Sequence, residues 1–291
     1  MKLLAILLLL FAAAISLPTF SLGQYWKVWK STSVIPKNSD VVLTSKIDSP
    51  EAIGKGLRGG YQMVHVSAHN SDVDGAEDIW DGGGAYTGFP VSDLELVEVL
   101  SSSGDDTNAA GLGARTVFIG GLDGNYDYQS EIIELAGTGA VESEFEYRRV
   151  FDFYVVSSGV NNTAFNVGTL TVRHSTTTAN VFATIEPGEN ITHNGCRTIP
   201  AGKIGLLKYI EFVPDKNNNT VVEVSIFSRE LGNAPKYLEV SMASDAVSHL
   251  HHFWSGLKFE EKTDFCPSVR GVSTGNIDVH AVYDLLLMDK Q

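Results

Sequence analysis

Asp123, Asn125, Asp127 and Glu134 occupy positions 1, 3, 5 and 12 of a twelve-residue window, the spacing of an oxygen-liganded calcium loop. Position 6 of such a loop turns sharply and is glycine, whereas here it is Tyr128. The flanking residues alternate like strands, and Asp123-Gly124 between two β runs is a hairpin signal. The pattern therefore predicts a turn over 123–127. Asp72, Asp74, Glu77 and Asp78 place four carboxylates in seven residues. Hard cations want several oxygens, but a solvated acidic loop has the same composition. A paired-carboxylate hydrolase needs two acids held across a cleft, which spacing along one chain does not establish.

The eight histidines are His65, His69, His174, His193, His249, His251, His252 and His280. In the run His249-Leu250-His251-His252, a strand puts His249 and His251 on one face and His252 on the other. No acid or cysteine completes a ligand set at a known spacing, so polar-face or interface histidines are expected and no metal is assigned. His65 and His69 lack a third partner in sequence. Gly-x-Ser-x-Gly, His-Glu-x-x-His and P-loop motifs are missing, as is a Gly-x-Gly-x-x-Gly that opens a helix. Gly82-Gly83-Gly84 has no following helix to cradle a phosphate and reads as a turn after Trp80. The chain is read as a non-enzyme without a cofactor.

Cys196 and Cys266 are the only cysteines, too few for a disulfide framework or a four-cysteine zinc site. A bridge between them and two buried free thiols are both open readings, and an exported chain permits the bridge. The triplets Asn161-Asn162-Thr163, Asn190-Ile191-Thr192 and Asn218-Asn219-Thr220 are sequons, relevant only in a eukaryotic secretory host.

These residues must be positioned by β-structure. Beyond residue 23 no apolar period of 3.6 persists, and alternation is broken repeatedly by Gly, Asn, Asp and Pro. Strands are predicted over 116–119, 131–135, 149–156, 168–173, 181–185, 206–213, 221–227, 237–242 and 277–288. Many short strands without βαβ alternation indicate an all-β fold of antiparallel sandwiches, jelly-roll or Ig-like. Glu186-Pro187-Gly188-Glu189-Asn190 is the best internal boundary. It divides a first sandwich over 85–189 from a second over 190–291, after an N-terminal arm or partial strand layer over 24–84.

Before that arm, Lys2 precedes thirteen uncharged apolar residues, Leu3 to Ile15, and small residues at Ser21 and Gly23 permit cleavage before Gln24. Residues 1–23 thus read as a signal peptide, with a retained membrane anchor as the alternative; the run is shorter than the roughly 20 residues of a spanning helix. Cleavage removes Lys2 and no acid, moving the formal charge of the 291-residue chain from −14 to −15. Such an acidic balance argues against a nucleic-acid partner, which needs clustered cations. Gln24-Tyr25-Trp26-Lys27-Val28-Trp29-Lys30 is aromatic and basic, suited to an interfacial anchor or to packing on a sandwich.

From Ala52 onward an ordered set of segments is similar to virion-associated proteins of tailed, often marine, bacteriophages. The segments are Ala52-Ile53-Gly54-Lys55-Gly56, Ala76 to Gly84, Leu100 to Ser103, Asp106-Thr107, Gly111 to Val117, Gly121 to Tyr126, Thr198 to Lys203, Glu261 to Asp264 and Asp284 to Asp289. The resemblance implies a non-enzymatic structural component of the particle: a head decoration, a tail protein or a fibre protein. It carries no catalytic or ligand residues. It implies other virion proteins as partners, self-assembly as a homo-oligomer, and a place in the virion. Export, if the leader is cleaved, gives the alternative of a secreted sandwich that binds a surface glycan or a protein. Trp80, Tyr86, Phe253 and Trp254 are then the candidate stacking residues.

Overall fold

Strands over Lys203–Pro214 and Ile277–Asp289 pair antiparallel and show how alternation becomes a sheet. In the first, Gly205 and Leu207 are buried, then Ile210 and Phe212, so the two-residue period changes phase once. The pairing register shifts between Leu207 and Tyr209, leaving Lys208 as the extra residue of a β-bulge. The bulge lets an apolar sequence with a phase break keep one face on the core.

The computed structural model describes residues 53, 59–91, 94–109, 111–159, 162–215, 220–245, 248–273 and 276–290. They belong to a compact unit over 45–291. The leader over 1–23 and the aromatic-basic segment over 24–30 lie outside the described residues. Among the described residues sixteen strands run in chain order: β1 (Tyr61–Val73), β2 (Glu77–Asp78), β3 (Glu95–Ser101), β4 (Ala114–Leu122), β5 (Tyr128–Glu134), β6 (Val141–Tyr147), β7 (Arg149–Ser158) and β8 (Leu170–His174). Then follow β9 (Val181–Ile185), β10 (Arg197–Thr198), β11 (Lys203–Pro214), β12 (Val221–Arg229), β13 (Lys236–Asp245), β14 (His249–Phe259), β15 (Asp264–Val272) and β16 (Ile277–Asp289).

The strands form two antiparallel sandwiches, so the fold is all-β. The first packs sheet β6-β3-β8-β9 against sheet β5-β4-β7. Its core includes Val97, Val117, Ile119, Tyr147, Phe153, Leu170, Phe182 and Ile185. The second packs sheet β1-β16-β11-β14 against β10-β15-β12-β13, with β2 added on β15. Val66, Leu207, Phe212, Ile226, Phe259, Phe265 and Tyr283 lie in its core. Each large apolar side chain fully withdrawn from water contributes about 1.5–3 kcal/mol, which makes these two clusters the main source of stability.

The chain from 24–84 contributes β1 and β2, and both belong to the second sandwich. β1 pairs with β16 from Tyr61↔Met288 to Val73↔Ile277. The first sandwich is thus an insertion between the early and late strands of the second. Pro267, which has no N–H to give, sits on β15 between the two-residue pairings to β10 and to β2.

Candidate functional site

The two sandwiches meet at a buried carboxylate. Arg149 opens β7 of the first, and Asp264 opens β15 of the second. Arg149 Nε donates to Asp264 Oδ1 at 3.1 Å and its Nη2 to Oδ2 at 3.1 Å, a bidentate pair. Thr198 Oγ1 donates to Oδ1 at 2.6 Å, and Arg229 Nη2 donates to Oδ2 at 2.6 Å. Phe89 covers the cluster, with the Arg149 and Arg229 guanidinium carbons 5.5 and 5.9 Å from its ring centre. The strap carrying Phe89 is tied down by its own carbonyls: Arg229 donates to Phe89 O and Arg149 to Pro90 O.

Upstream of that strap, Trp80 and Tyr86 pack edge to face with ring centres 5.1 Å apart. Trp80 is 4% exposed. Its Nε1 donates to Gly84 O at 3.2 Å. The Tyr86 hydroxyl donates to Phe182 O at 2.8 Å, and burial pushes that phenol up to about 12. The triple glycine is the turn around this indole. A Cβ on Gly82 would fall 2.2 Å from the Trp80 ring, and Gly83 and Gly84 have φ of 65° and 64°. Trp80 is therefore an interior residue, while Tyr86 is half-buried with its hydroxyl bonded inward to Phe182 O.

Phe253 and Trp254 lie on β14, where alternation separates them. Phe253 packs against the second core, while Trp254 is 98% exposed. The expected four-residue platform is thus one exposed indole and three side chains turned inward. The histidine run lies on the same strand: His249 and His251 are half-buried on one face and His252 is exposed on the other.

The acidic candidates are engaged with protein donors. Asp123 closes the β4–β5 hairpin, its Oδ1 accepting from Asn125 N at 2.8 Å and Asp127 N at 2.9 Å. Tyr126 takes the left-handed φ of 70° that the turn requires. Glu134 accepts from Asn108 Nδ2 at 2.8 Å. Glu77 accepts from Asn70 Nδ2, Asp74 N and Gly84 N, and Asp78 accepts from Tyr86 N and Ser268 Oγ. Burial raises the Asp78 carboxyl despite those two donors. Cys196 and Cys266 form a disulfide with Cα atoms 4.2 Å apart.

Asp106 is a second buried hub, fully withdrawn from solvent. It accepts from Ser101 Oγ at 2.6 Å, Ala114 N at 2.8 Å, Val167 N at 2.9 Å and Gly168 N at 2.8 Å. The loop after β3 is thereby locked to the loop before β8. Nothing local in the sequence distinguishes these two aspartates from surface ones. Arg149, 115 positions from Asp264, carries no motif signal at all.

A cluster of histidines and acids gathers near the same junction. Asp81 is buried, and burial pushes its carboxyl up to about 6 against the pull of His193 and His69. His193 N donates to Asp81 Oδ2 at 2.5 Å. His69 pairs through Nε2 with Asp278 Oδ1 at 3.1 Å, and its ring stacks on His280 at 4.3 Å. The long sequence separations hid this grouping.

Two open features remain. Two pockets of about 470 and 620 Å³ share His65, Tyr128, Phe151, Asp152 and Arg197 as lining. Arg197 lies over the Phe151 ring at 5.2 Å, and Tyr128 Oη donates to Asp152 Oδ2 at 3.0 Å. The outer side of sheet β5-β4-β7 carries Phe118 stacked on Tyr154 at 4.8 Å; these two rings and Ile191 also line the 470 Å³ pocket, and Ile132, Val156 and Ile191 are exposed. Rings beside hydrogen-bonding groups can hold a polyol, and an exposed apolar face can bury against a partner.

Fold and junction together define a two-sandwich all-β protein braced by buried carboxylates. No protein-family model matches the chain, and no curated protein matches it. Among solved structures it is similar to the structure of infectious bursal disease virus Gt strain, at 9% identity over 79% of this chain and 82% of that one, with a TM-score of 0.17. A score that low carries no argument about fold or role.

Proposed function

We propose that this chain is a non-enzymatic structural and interaction protein, a component of a phage-like virion such as a head decoration, tail or fibre protein. The observation that carries the reading is the outer face of sheet β5-β4-β7. Phe118, Ile132, Tyr154, Val156 and Ile191 present aromatic and aliphatic surface on an otherwise strongly acidic protein. Such a face gains from burial against a neighbouring protein, while the net charge keeps the free subunit soluble. The ordered set of segments similar to phage virion proteins supports the same reading. Partners are then other particle proteins or further copies of this chain, and the place of action is the particle.

The test is a density-gradient preparation of intact particles analysed by mass spectrometry. The chain is expected to band with the particles at a fixed stoichiometry, and Tyr154→Ser with Ile132→Ser is expected to reduce its incorporation. Its absence from purified particles overturns the reading.

The pockets around Tyr128, Phe151 and Arg197 favour a second reading, a secreted module for a surface glycan. Calorimetry against sugars recovered from a glycan array decides it: binding lost in Tyr128→Ala and Arg197→Ala supports it, and no binding to any sugar removes it.

A further inference from the structure

His69 on β1, Asp81 just after β2, and His193 in the link from β9 to β10 come from three separate stretches of chain. Backbone bonds fix them together: His69 N donates to His193 O at 3.1 Å, and Gly195 N donates to Ile79 O at 3.2 Å. Asp81 Oδ2 is engaged by the His193 amide, but Oδ1 has no hydrogen-bond partner although the Asp81 side chain is only 1% exposed. Facing that oxygen are His193 Nδ1 at 3.7 Å and His69 Nδ1 at 4.0 Å.

The tautomer of His69 follows from its other nitrogen. Nε2 faces the Asp278 carboxylate at 3.1 Å, so in the neutral ring the proton belongs on Nε2 and Nδ1 presents a lone pair to Asp81. A buried carboxylate oxygen and an imidazole lone pair turned toward each other repel unless a positive charge lies between them. An imidazole backed by a carboxylate on its far nitrogen is also the outer-shell arrangement that orients metal-bound histidines.

We propose that His69 Nδ1, His193 Nδ1 and Asp81 Oδ1 form a site for one transition-metal dication of the zinc class, with Asp278 orienting His69. The fourth position is open to water or to a donor from a partner. Zinc bonds of about 2.0–2.1 Å in a tetrahedron separate neighbouring ligand atoms by roughly 3.3 Å. The observed 3.7 and 4.0 Å are wider by about 0.4 and 0.7 Å, and no closed ligand set exists among the described residues as they stand. Closing the set requires both imidazoles, whose ring centres are 6.4 Å apart, to turn toward Asp81 Oδ1 and toward each other. Both rings are about a quarter exposed, and His193 also lines the 470 Å³ pocket, so an ion reaches the site without opening the core.

The test is titration of the full chain, stripped with chelator, with zinc chloride by calorimetry and with cobalt chloride by visible absorption. One equivalent of zinc is expected to bind and to raise the melting temperature, and one equivalent of cobalt is expected to give the intense bands of a tetrahedral site. Asp81→Asn and His193→Ala are each expected to weaken zinc at least tenfold, and Asp278→Asn by about tenfold to a hundredfold. His251→Ala, on the separate run of β14, is expected to leave binding unchanged. If the ligand variants fold poorly, the cobalt spectrum of the unaltered protein still decides. Absence of tetrahedral bands, zinc binding that persists in both ligand variants, or a cluster that takes up protons but no zinc overturns the proposal.

Discussion

Arg149 Nε lies 3.1 Å from Asp264 Oδ1, and this pair joins the first strand position of β7 to that of β15 across the two sandwiches. Both side chains are almost fully buried. Removing the carboxylate leaves the Arg149 guanidinium without its counter-charge and strips Arg229 of the same partner. Asp264→Ala is therefore expected to cost about 3–5 kcal/mol in denaturant unfolding. Arg149→Met is expected to cost less, because Asp264 keeps Arg229 and Thr198. Equal losses from the two variants would show that the carboxylate and the guanidinium depend on each other equally.

The sequence made part of this legible. Alternation located β9 over Val181–Ile185 to the residue and placed 116–119 inside β4 and 149–156 inside β7. It missed β1, β3, β6 and β14, and it missed β15, where Cys266 and Pro267 interrupt the β-forming pattern and every position from Asp264 through Val269 is buried, so no period of two appears. It also could not pair β1 with β16, since register between segments some two hundred residues apart leaves no local trace. The candidate site shows the same limit. Trp80 and Trp254 look alike as aromatic residues, and only packing assigns one to the interior and one to solvent. The Asp81 cluster was invisible because His69, Asp81, His193 and Asp278 share no spacing.

That contrast between tryptophans has a direct consequence. Trp80→Ala empties a buried cavity against Tyr86 and is expected to cost about 3–5 kcal/mol. Trp254→Ser removes a fully exposed ring and is expected to change stability by no more than about 0.5 kcal/mol. In a background with Trp26 and Trp29 replaced by phenylalanine, acrylamide quenching should be sharply reduced in Trp254→Ser. A large stability loss from that substitution would place the indole elsewhere.

Asp106 should behave as a keystone of the first sandwich. Its two oxygens accept three backbone N–H groups and one hydroxyl, all buried except the part-buried bond from Val167 N. Asp106→Ala leaves those donors unsatisfied, and a loss of at least about 3 kcal/mol is expected from the charged-acceptor bonds. Hydrogen exchange should report faster opening at Ala114, Val167 and Gly168. Unchanged protection there would show that the loops hold without the carboxylate.

The Cys196–Cys266 bridge closes a loop of 70 positions within the second sandwich. In the chain-entropy account, such a closure destabilises the unfolded state by about 4 kcal/mol. Cys196→Ala with Cys266→Ala is expected to lower the denaturant midpoint by a corresponding amount. Native protein should give no reaction with a thiol reagent, and full reaction only after reduction in denaturant. Thiols titrating in native, unreduced protein would contradict the bridge.

Glu95 on β3 supplies the pH-dependent element of the first sandwich. Burial opposes its charge, yet the hydroxyl and amide groups of Thr176 and Thr177 all donate to it and outweigh that cost, holding the carboxyl at about 2 against an ordinary 4.5. The folded protein thus binds the Glu95 proton more weakly than the unfolded chain does. Stabilisation from this group is complete above the unfolded value of 4.5 and is lost as pH falls from there through about 2. Its size is about 1–2 kcal/mol, since the carboxylate remains within reach of solvent. Glu95→Gln is therefore expected to melt below the unaltered protein at pH 7, with the gap closing as both are brought to pH 2. Melting curves collected across that range decide the matter: two lines that stay parallel down to pH 2 would assign the acid sensitivity of this sandwich to other carboxylates.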